Sequence, residues 1–258
     1  MAKSKRQAYQ DNPEANWFGF QPTSAAEKTA RVRDVFASVA GNYDLMNDLM
    51  SLGVHRIWKD QLVAAMAPRA GEKILDLAGG TGDIAQRLYK RSDGKADITI
   101  CDYNPAMLEK GRDRAIDSGL WNAFTWTTGD AADLPFADNS FDKMCISFGL
   151  RNVTRIDTAL QEAHRVLKPG GQFFCLEFSP GVLPLLKPFY EKYSFTVLPW
   201  LGEHVAKDRA AYQYLAESIR QFPDQQNLAD RMTSAGLAQV RWCDMTGGIT
   251  VLHRGWKF

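Results

Sequence analysis

The stretch Lys73–Ala85, KILDLAGGTGDIA, joins an apolar run to a glycine turn and then to the first residues of a helical period. Gly80, Gly82 and Ala85 fit the G-x-G-x-x-G/A fingerprint of dinucleotide-binding turns. Asp76, Gly80 and Gly82 also fit the D-x-G-x-G-x-G loop of methyltransferases, with Ala78 at the first glycine. In either case the glycines let the backbone turn tightly after a strand and approach a nucleotide, and the following helix presents its amides there.

Downstream, short apolar runs alternate with helical periods. DITICDY (97–103), AFTWTTGD (123–130), FDKMCISFGL (141–150) and QFFCLEFS (172–179) read as strands. PAMLEKGRDRAIDSG (105–119) and TRIDTALQEAHRVL (154–167) read as helices, the second followed by a turn, KPGG (168–171). That second helix places Ile156, Ala159, Leu160, Ala163 and Leu167 on one stripe and leaves His164 off it, toward solvent. Such alternation predicts a parallel sheet with helices on both faces. Two last runs, AQVRWCDM (238–245) and ITVLHRGWKF (249–258), flank Gly247 and Gly248 and predict a closing antiparallel hairpin. By fold analogy, this is the plan of a class I, Rossmann-like S-adenosylmethionine-dependent methyltransferase: α/β, with a seven-stranded mostly parallel sheet and a terminal antiparallel hairpin.

Before the sheet, Val32, Val35, Phe36 and Val39 recur at helical spacing, and HRIWKDQLVAAMA (55–67) ends at Pro68 and Gly71. Residues 1–70 therefore read as a helical N-terminal extension, expected to form part of the substrate pocket. Residues 71–258 read as the methyltransferase domain, interrupted by a helical, aromatic insertion at about 180–235, the whole forming a single structural domain.

Composition narrows the class. The 258 residues are 45% hydrophobic and 24% charged, enough for one elaborated globular domain. Thirty-one Lys and Arg against 30 Asp and Glu give a net charge of +1, which provides no general attraction to nucleic acid. The opening MAKSKRQAYQDNPEAN has no apolar stretch of the secretory kind, and no run reaches the length of a spanning helix. The expected location is the cytoplasm. Cys101, Cys145, Cys175 and Cys243 form no C-x-x-C pair, so neither zinc nor disulfides are indicated, and the first three sit in strand-like runs as small buried hydrophobes.

The glycine motif alone does not choose between cofactors. Nor does Asp102, twenty residues past Gly82, whose carboxylate could accept from the ribose hydroxyls of either. Three details favour S-adenosylmethionine. Asp83 opens the helix where a dinucleotide would place its diphosphate, and a carboxylate there repels it. Asp130 ends the third strand, where an adenine edge would lie, and HRVLKPGGQFFCLEFS (164–179) is a familiar methyltransferase element. An NAD-dependent oxidoreductase stays as the rival enzyme. A nucleic-acid methyltransferase is disfavoured by the absence of an N-P-P-Y run, a Pro-Cys dipeptide and a basic tract.

From FGFQ at Phe18 to the final LHRGWKF, the sequence resembles the ubiquinone/menaquinone biosynthesis C-methyltransferases. The resemblance is carried by YDLMNDLMSLGVHRIWK (43–59), DLAGGTGD, LPFADNSFD, ISFGLRNV (146–153), RVLKPGGQFFCLEFS and YQYLAESIRQFPDQ, and Ala78 is usual in that family. It implies methyl transfer from S-adenosylmethionine to a ring carbon of a polyprenylated quinol: demethylmenaquinol, 2-methoxy-6-polyprenyl-1,4-benzoquinol, or both. It implies cofactor contacts at Thr81, Asp102, Asp130, Ala131 and Ser147, to which Asp76 and Gly80 are added as loop anchor and closest backbone approach. No metal is required. The expected partners are the quinol, a bilayer touched transiently, other quinone-biosynthesis enzymes and a second copy of the chain. A non-catalytic cofactor-binding subunit of a quinone-synthesis complex is the third class considered.

The chemistry asks for a carbon nucleophile, which a quinol becomes when its hydroxyl loses a proton. Phenols do this unaided near pH ~10, so a base or nearby cation should help. Arg151 and Asn152, leaving the fourth strand, are the candidates to stabilise the phenolate and orient the hydroxyl. Tyr43 and Asn47, four apart on one helical face, are candidates to close the pocket. Asp44, His55 and His204 are further candidate bases. Pairing of Arg151 with an acid and packing of Tyr43 are the plainer readings. Val182–Leu201 reads equally as a prenyl tunnel and as core or dimer packing.

Overall fold

The computed structural model describes residues 16–39, 48, 51, 53–183 and 209–258. Apolar runs of five to seven residues become the strands β3 (Lys73–Leu77), β4 (Asp97–Asp102), β5 (Phe124–Thr128) and β6 (Phe141–Ser147), all mutually parallel. β7 (Leu167–Phe178) continues the parallel set, and β8 (Ala238–Met245) and β9 (Thr250–Trp256) close it antiparallel. The order is β5-β4-β3-β6-β7-β9-β8. This is the expected class I methyltransferase sheet with its terminal hairpin. Ile74, Leu75, Ile98, Ile100, Met144 and Ile146 are fully buried, as central strands covered on both faces require.

Helices cover the sheet. α2 (His55–Met66) buries Trp58, Leu62, Val63 and Met66, and α3 (Asp83–Arg91) buries Ile84, Ala85 and Leu88. α4 (Pro105–Asp117) starts at an N-cap: the Asn104 side chain accepts from Ala106 N at 3.0 Å, with proline at the first helical position. α5 (Ile156–Val166) buries Ala159, Leu160, Ala163 and Val166. Leu167 already belongs to β7, and Ile156 is only partly covered. His164 differs from expectation too: it is half-buried, its ring is 3.1 Å from where a Cβ on Gly236 would stand, and burial lowers its pKa. KPGG is part of β7 and not a free turn, because Gly170 N donates to Lys257 O at 2.7 Å and Lys257 N to Gly171 O at 3.0 Å.

The chain divides into two compact units. One comprises Arg56–Phe178, Gln225–Thr246 and Thr250–Phe258, and holds the seven-stranded sheet, α3 to α5, nearly all of α2, and α7 (Gln225–Ser234). The other comprises Met1–His55, Ser179–Asp224 and Gly247–Ile249, and holds α1 (Ala25–Val39) and α6 (Arg209–Gln221). It also holds a two-stranded hairpin, β1 (Asn16–Phe18) and β2 (Gln21–Thr23), where the sequence suggested only helix. Strands of three residues do not persist alone. Here Phe18 stacks on Tyr214 of α6 with centroids 4.2 Å apart, and Phe20 N donates to Glu217 Oε2 at 2.9 Å.

Cys101, Cys145 and Cys175 are buried within strands, and Cys243 is exposed. Among the described residues no helix is long and apolar enough to cross a membrane.

Candidate cofactor and active site

The parallel strands deliver their carboxyl ends to one rim, and the candidate cofactor residues collect there. Asp76, the penultimate residue of β3, is buried and accepts from Ala85 N at 3.1 Å and from the Cys145 thiol at 3.6 Å. Burial, above all, pushes its carboxyl up to about 7. It thus ties β3 to the first turn of α3 across the glycine loop. Ala78 takes the position of the loop's first glycine and adopts a left-handed backbone, φ 51, that a Cβ disfavours.

Gly80, also left-handed at φ 54, turns its amide to Asp102 Oδ2 at 2.9 Å. Asp102 Oδ1 accepts from Asn104 N at 2.8 Å, and burial raises the carboxyl's pKa. A carboxylate has about four acceptor sites, so two remain for ribose hydroxyls. Gly129 N donates to Asp102 O at 3.1 Å, which brings Asp130 and the buried Ala131 beside it. Asp130 Oδ1 accepts from Ala132 N at 2.9 Å, and Oδ2 lies 3.5 Å from Arg155 Nη2. Thr81 is buried, its hydroxyl receiving Arg114 Nη1 at 3.3 Å. Ser147, ending β6, has a buried hydroxyl with no hydrogen-bond partner among the described residues. An acid with spare acceptors, an unpartnered hydroxyl and a close-approaching backbone fit an adenosyl group.

Asp83 at the start of α3 does not stand as a bare charge. Lys59 Nζ, itself buried, reaches Asp83 Oδ2 at 2.8 Å, and Arg87 Nε reaches Oδ1 at 2.8 Å. These cations outweigh burial and lower its pKa. The repulsion argued from sequence is largely neutralised, so the choice of cofactor rests on other evidence.

Past Ser147 the chain leaves the sheet sharply. Phe148, φ 55, is left-handed like Ala78 although it carries a side chain, and is followed by Gly149 and a 3-10 turn, Leu150–Asn152. Arg151 is buried: its side chain is 3% exposed, and that of Glu177, its partner at 2.7 Å, is 2% exposed. Arg151 Nη1 also donates to Phe148 O, and Arg151 N to Glu177 Oε2 at 3.3 Å. Its Nε has no hydrogen-bond partner among the described residues. Burial raises the Glu177 pKa against the pull of Arg151 and of the Phe178 and Arg151 amides. Asn152 follows, half-buried.

Arg151 and Asn152 therefore sit on the segment that leaves Ser147. Tyr43, Asp44, Asn47 and His204, with most of Val182–Leu201, lie outside the described residues. His55 is buried and its Nε2 is 2.9 Å from Asp48 Oδ1. Sequence reasoning did not single out Lys59, Asn104 or Glu177. Glu177 had a signal, a lone acid inside the apolar run FFCLEF, and Asn104 had another, an Asn-Pro pair opening a helix.

The fold and this rim define a class I S-adenosylmethionine-dependent methyltransferase. Among solved structures the chain is similar to a SAM-dependent methyltransferase from Thermotoga maritima, with TM-score 0.62 and 20% identity over 88% of this chain and 100% of that one. A SAM-dependent methyltransferase from Aquifex aeolicus gives TM-score 0.57 and 14% identity over 78% and 89%. Closer in sequence are proteins named ubiquinone/menaquinone biosynthesis C-methyltransferase UbiE. That of Paracoccus denitrificans is 51% identical over 247 residues, 96% of this chain and 98% of the relative, and that of Cereibacter sphaeroides is 52% identical over 240 residues, 93% and 96%. The model of the ubiE/COQ5 methyltransferase family matches residues 24–257, and the chain belongs to that family.

Proposed function

We propose that this protein methylates a ring carbon of a polyprenylated quinol, demethylmenaquinol or 2-methoxy-6-polyprenyl-1,4-benzoquinol, in quinone biosynthesis. The observation that carries the reading is near-full-length identity of about half to proteins named for that pathway. When bound, S-adenosylmethionine supplies a methyl group on a cationic sulfur, open to attack by an electron-rich carbon. Asp102, with Thr81, Asp130, Ala131 and Ser147, would hold its adenosyl part, and Gly80 would offer the closest backbone.

The chain's own task is then to raise the electron density of the ring and hold it still. A hydrogen-bond donor at the quinol oxygen stabilises charge as the hydroxyl proton leaves. The Arg151 guanidinium would be such a donor, with Nη1 held by Glu177 and Nε without a hydrogen-bond partner among the described residues. Asn152 would orient the same oxygen. An uncharged, prenylated substrate would draw the enzyme to the cytoplasmic face of a bilayer.

The test is methyl transfer from isotopically labelled S-adenosylmethionine to short-tailed forms of both quinols kept reduced by dithionite, read by mass spectrometry. Label on the ring carbon of the reduced but not the oxidised substrates is the expected result. No label on either, with cofactor bound, sinks the quinol reading.

A further inference from the structure

Among the residues at the carboxyl rim, Glu177 stands out as a charge that stability does not ask for. It lies one residue past Leu176, the last β7 residue paired with β6, where Leu176 faces Ser147. A buried ion pair gains little over apolar side chains of the same size, because both ions lose their water. The strand around it, Phe173, Phe174, Cys175, Leu176 and Phe178, is otherwise apolar and buried.

What the carboxylate does is geometric. Oε1 accepts from Arg151 Nη1 at 2.7 Å and from Phe178 N at 2.9 Å, and Oε2 accepts from Arg151 N. Arg151 Nη1 in turn bonds Phe148 O, the carbonyl of the left-handed residue after Ser147. One carboxylate thereby holds both the guanidinium and the backbone of the exit turn. It also cancels most of the guanidinium's charge. Only Nη1 is engaged, so the N–H groups of Nε and Nη2 have no hydrogen-bond partner among the described residues; on a guanidinium whose charge is cancelled they suit a neutral oxygen such as an aryl hydroxyl better than a carboxylate or phosphate.

We propose that Glu177 is a positioning residue that fixes and neutralises Arg151, so that the site recognises an uncharged aryl hydroxyl through the guanidinium N–H groups that Glu177 leaves unengaged. The inference rests on the quinol reading and on Arg151 touching the substrate oxygen.

The experiment compares Glu177→Gln, Arg151→Ala and the double variant on short-tailed demethylmenaquinol, with S-adenosylhomocysteine affinity and thermal unfolding measured alongside. Glu177→Gln is expected to lower kcat by about tenfold or more, with cofactor affinity within about threefold of the parent. An uncompensated guanidinium eases loss of the hydroxyl proton, so the rising acid limb of the kcat profile moves to lower pH. Glu177→Gln should add no further loss in the Arg151→Ala background. Should the Gln variant fail to fold, Glu177→Asp keeps the charge but draws it back by one methylene: kcat falls while the limb stays in place.

An unchanged kcat and limb, full additivity with Arg151→Ala, or a kcat loss tracking equal losses of cofactor affinity and stability each overturns the role of Glu177 alone. Parental turnover by Arg151→Ala overturns it together with the role of Arg151. Absence of any quinol methylation by the parent enzyme overturns the substrate reading itself.

Discussion

The side chain of Ala78 stands 2.6 Å from where a Cβ on Gly149 would have to go. The two residues lie at the ends of paired strands, β3 and β6, where Leu77 faces Ile146. Alanine at the loop's first glycine position is therefore accommodated by glycine on the neighbouring strand exit. Gly149→Ala is expected to destabilise the protein by about 1–3 kcal/mol through overpacking. Adding Ala78→Gly should restore most of it, leaving a milder contact with Ile146 Cγ1 at 3.2 Å. Urea midpoints of the two singles and the double decide the matter, and a double no better than Gly149→Ala alone refutes the pairing.

Lys59 belongs to α2 but serves the start of α3. With Lys59→Met, Asp83 keeps only Arg87, and a partly buried carboxylate loses the more deeply buried of its two cations. Removing one partner of a fully buried pair costs about 3–5 kcal/mol; Asp83 is 36% exposed, so about 1–2 kcal/mol is expected. Thermal unfolding of Lys59→Met, alone and with Asp83→Asn, provides the check, since the loss should shrink once the carboxylate is gone.

Asp76 gives stability a pH slope of definite sign. Its folded pKa, about 7, lies above the ordinary 3.8, so between these values the folded chain holds a proton that the unfolded chain has released. Stability from this group is full below pH ~4 and declines as pH rises toward 7, at up to about 1.4 kcal/mol per pH unit. Asp76→Asn stays neutral throughout. The difference in melting temperature between Asp76→Asn and the parent should grow in favour of Asn from pH 5 to pH 8. A constant difference would show that Asp76 is ionised in the fold.

Asp102 is expected to dominate cofactor affinity. Asp102→Asn keeps the shape and an acceptor for Gly80 N, yet loses the charge-assisted bonds available to ribose hydroxyls. Such bonds are worth about 1.5–3 kcal/mol, so S-adenosylhomocysteine should bind roughly 10- to 100-fold more weakly by calorimetry, with little change in folding. Affinity within a factor of about two would move the ribose site elsewhere.

The sheet was legible because its signal is local. KILDL, DITICD and FDKMCIS carry their apolar pattern within themselves, and the glycines and acids at their ends mark where the chain turns. What was not legible depends on partners far along the chain. The β1–β2 hairpin leans on Tyr214 and Glu217, KPGG finds Lys257, and Asp83 finds Lys59. Arg151 was readable as a candidate from its place after a strand, but not as half of an ion pair, because its acid is 26 residues away on another strand. Periodicity reports which face a residue occupies; it does not report whom that face meets.

The position of β9 between β7 and β8 sets an order on synthesis. A chain emerging from the ribosome at its amino end releases residues 238–245 before 250–256, yet among the described residues β8 pairs only with β9. Until the later strand arrives, β7 offers an open edge flanked by Phe173, Phe174 and Leu176, the kind of surface that recruits neighbouring nascent chains. The later-made of the two hairpin strands is thus the one that covers the β7 edge, and until it is in place that edge stays open to pairing with another chain.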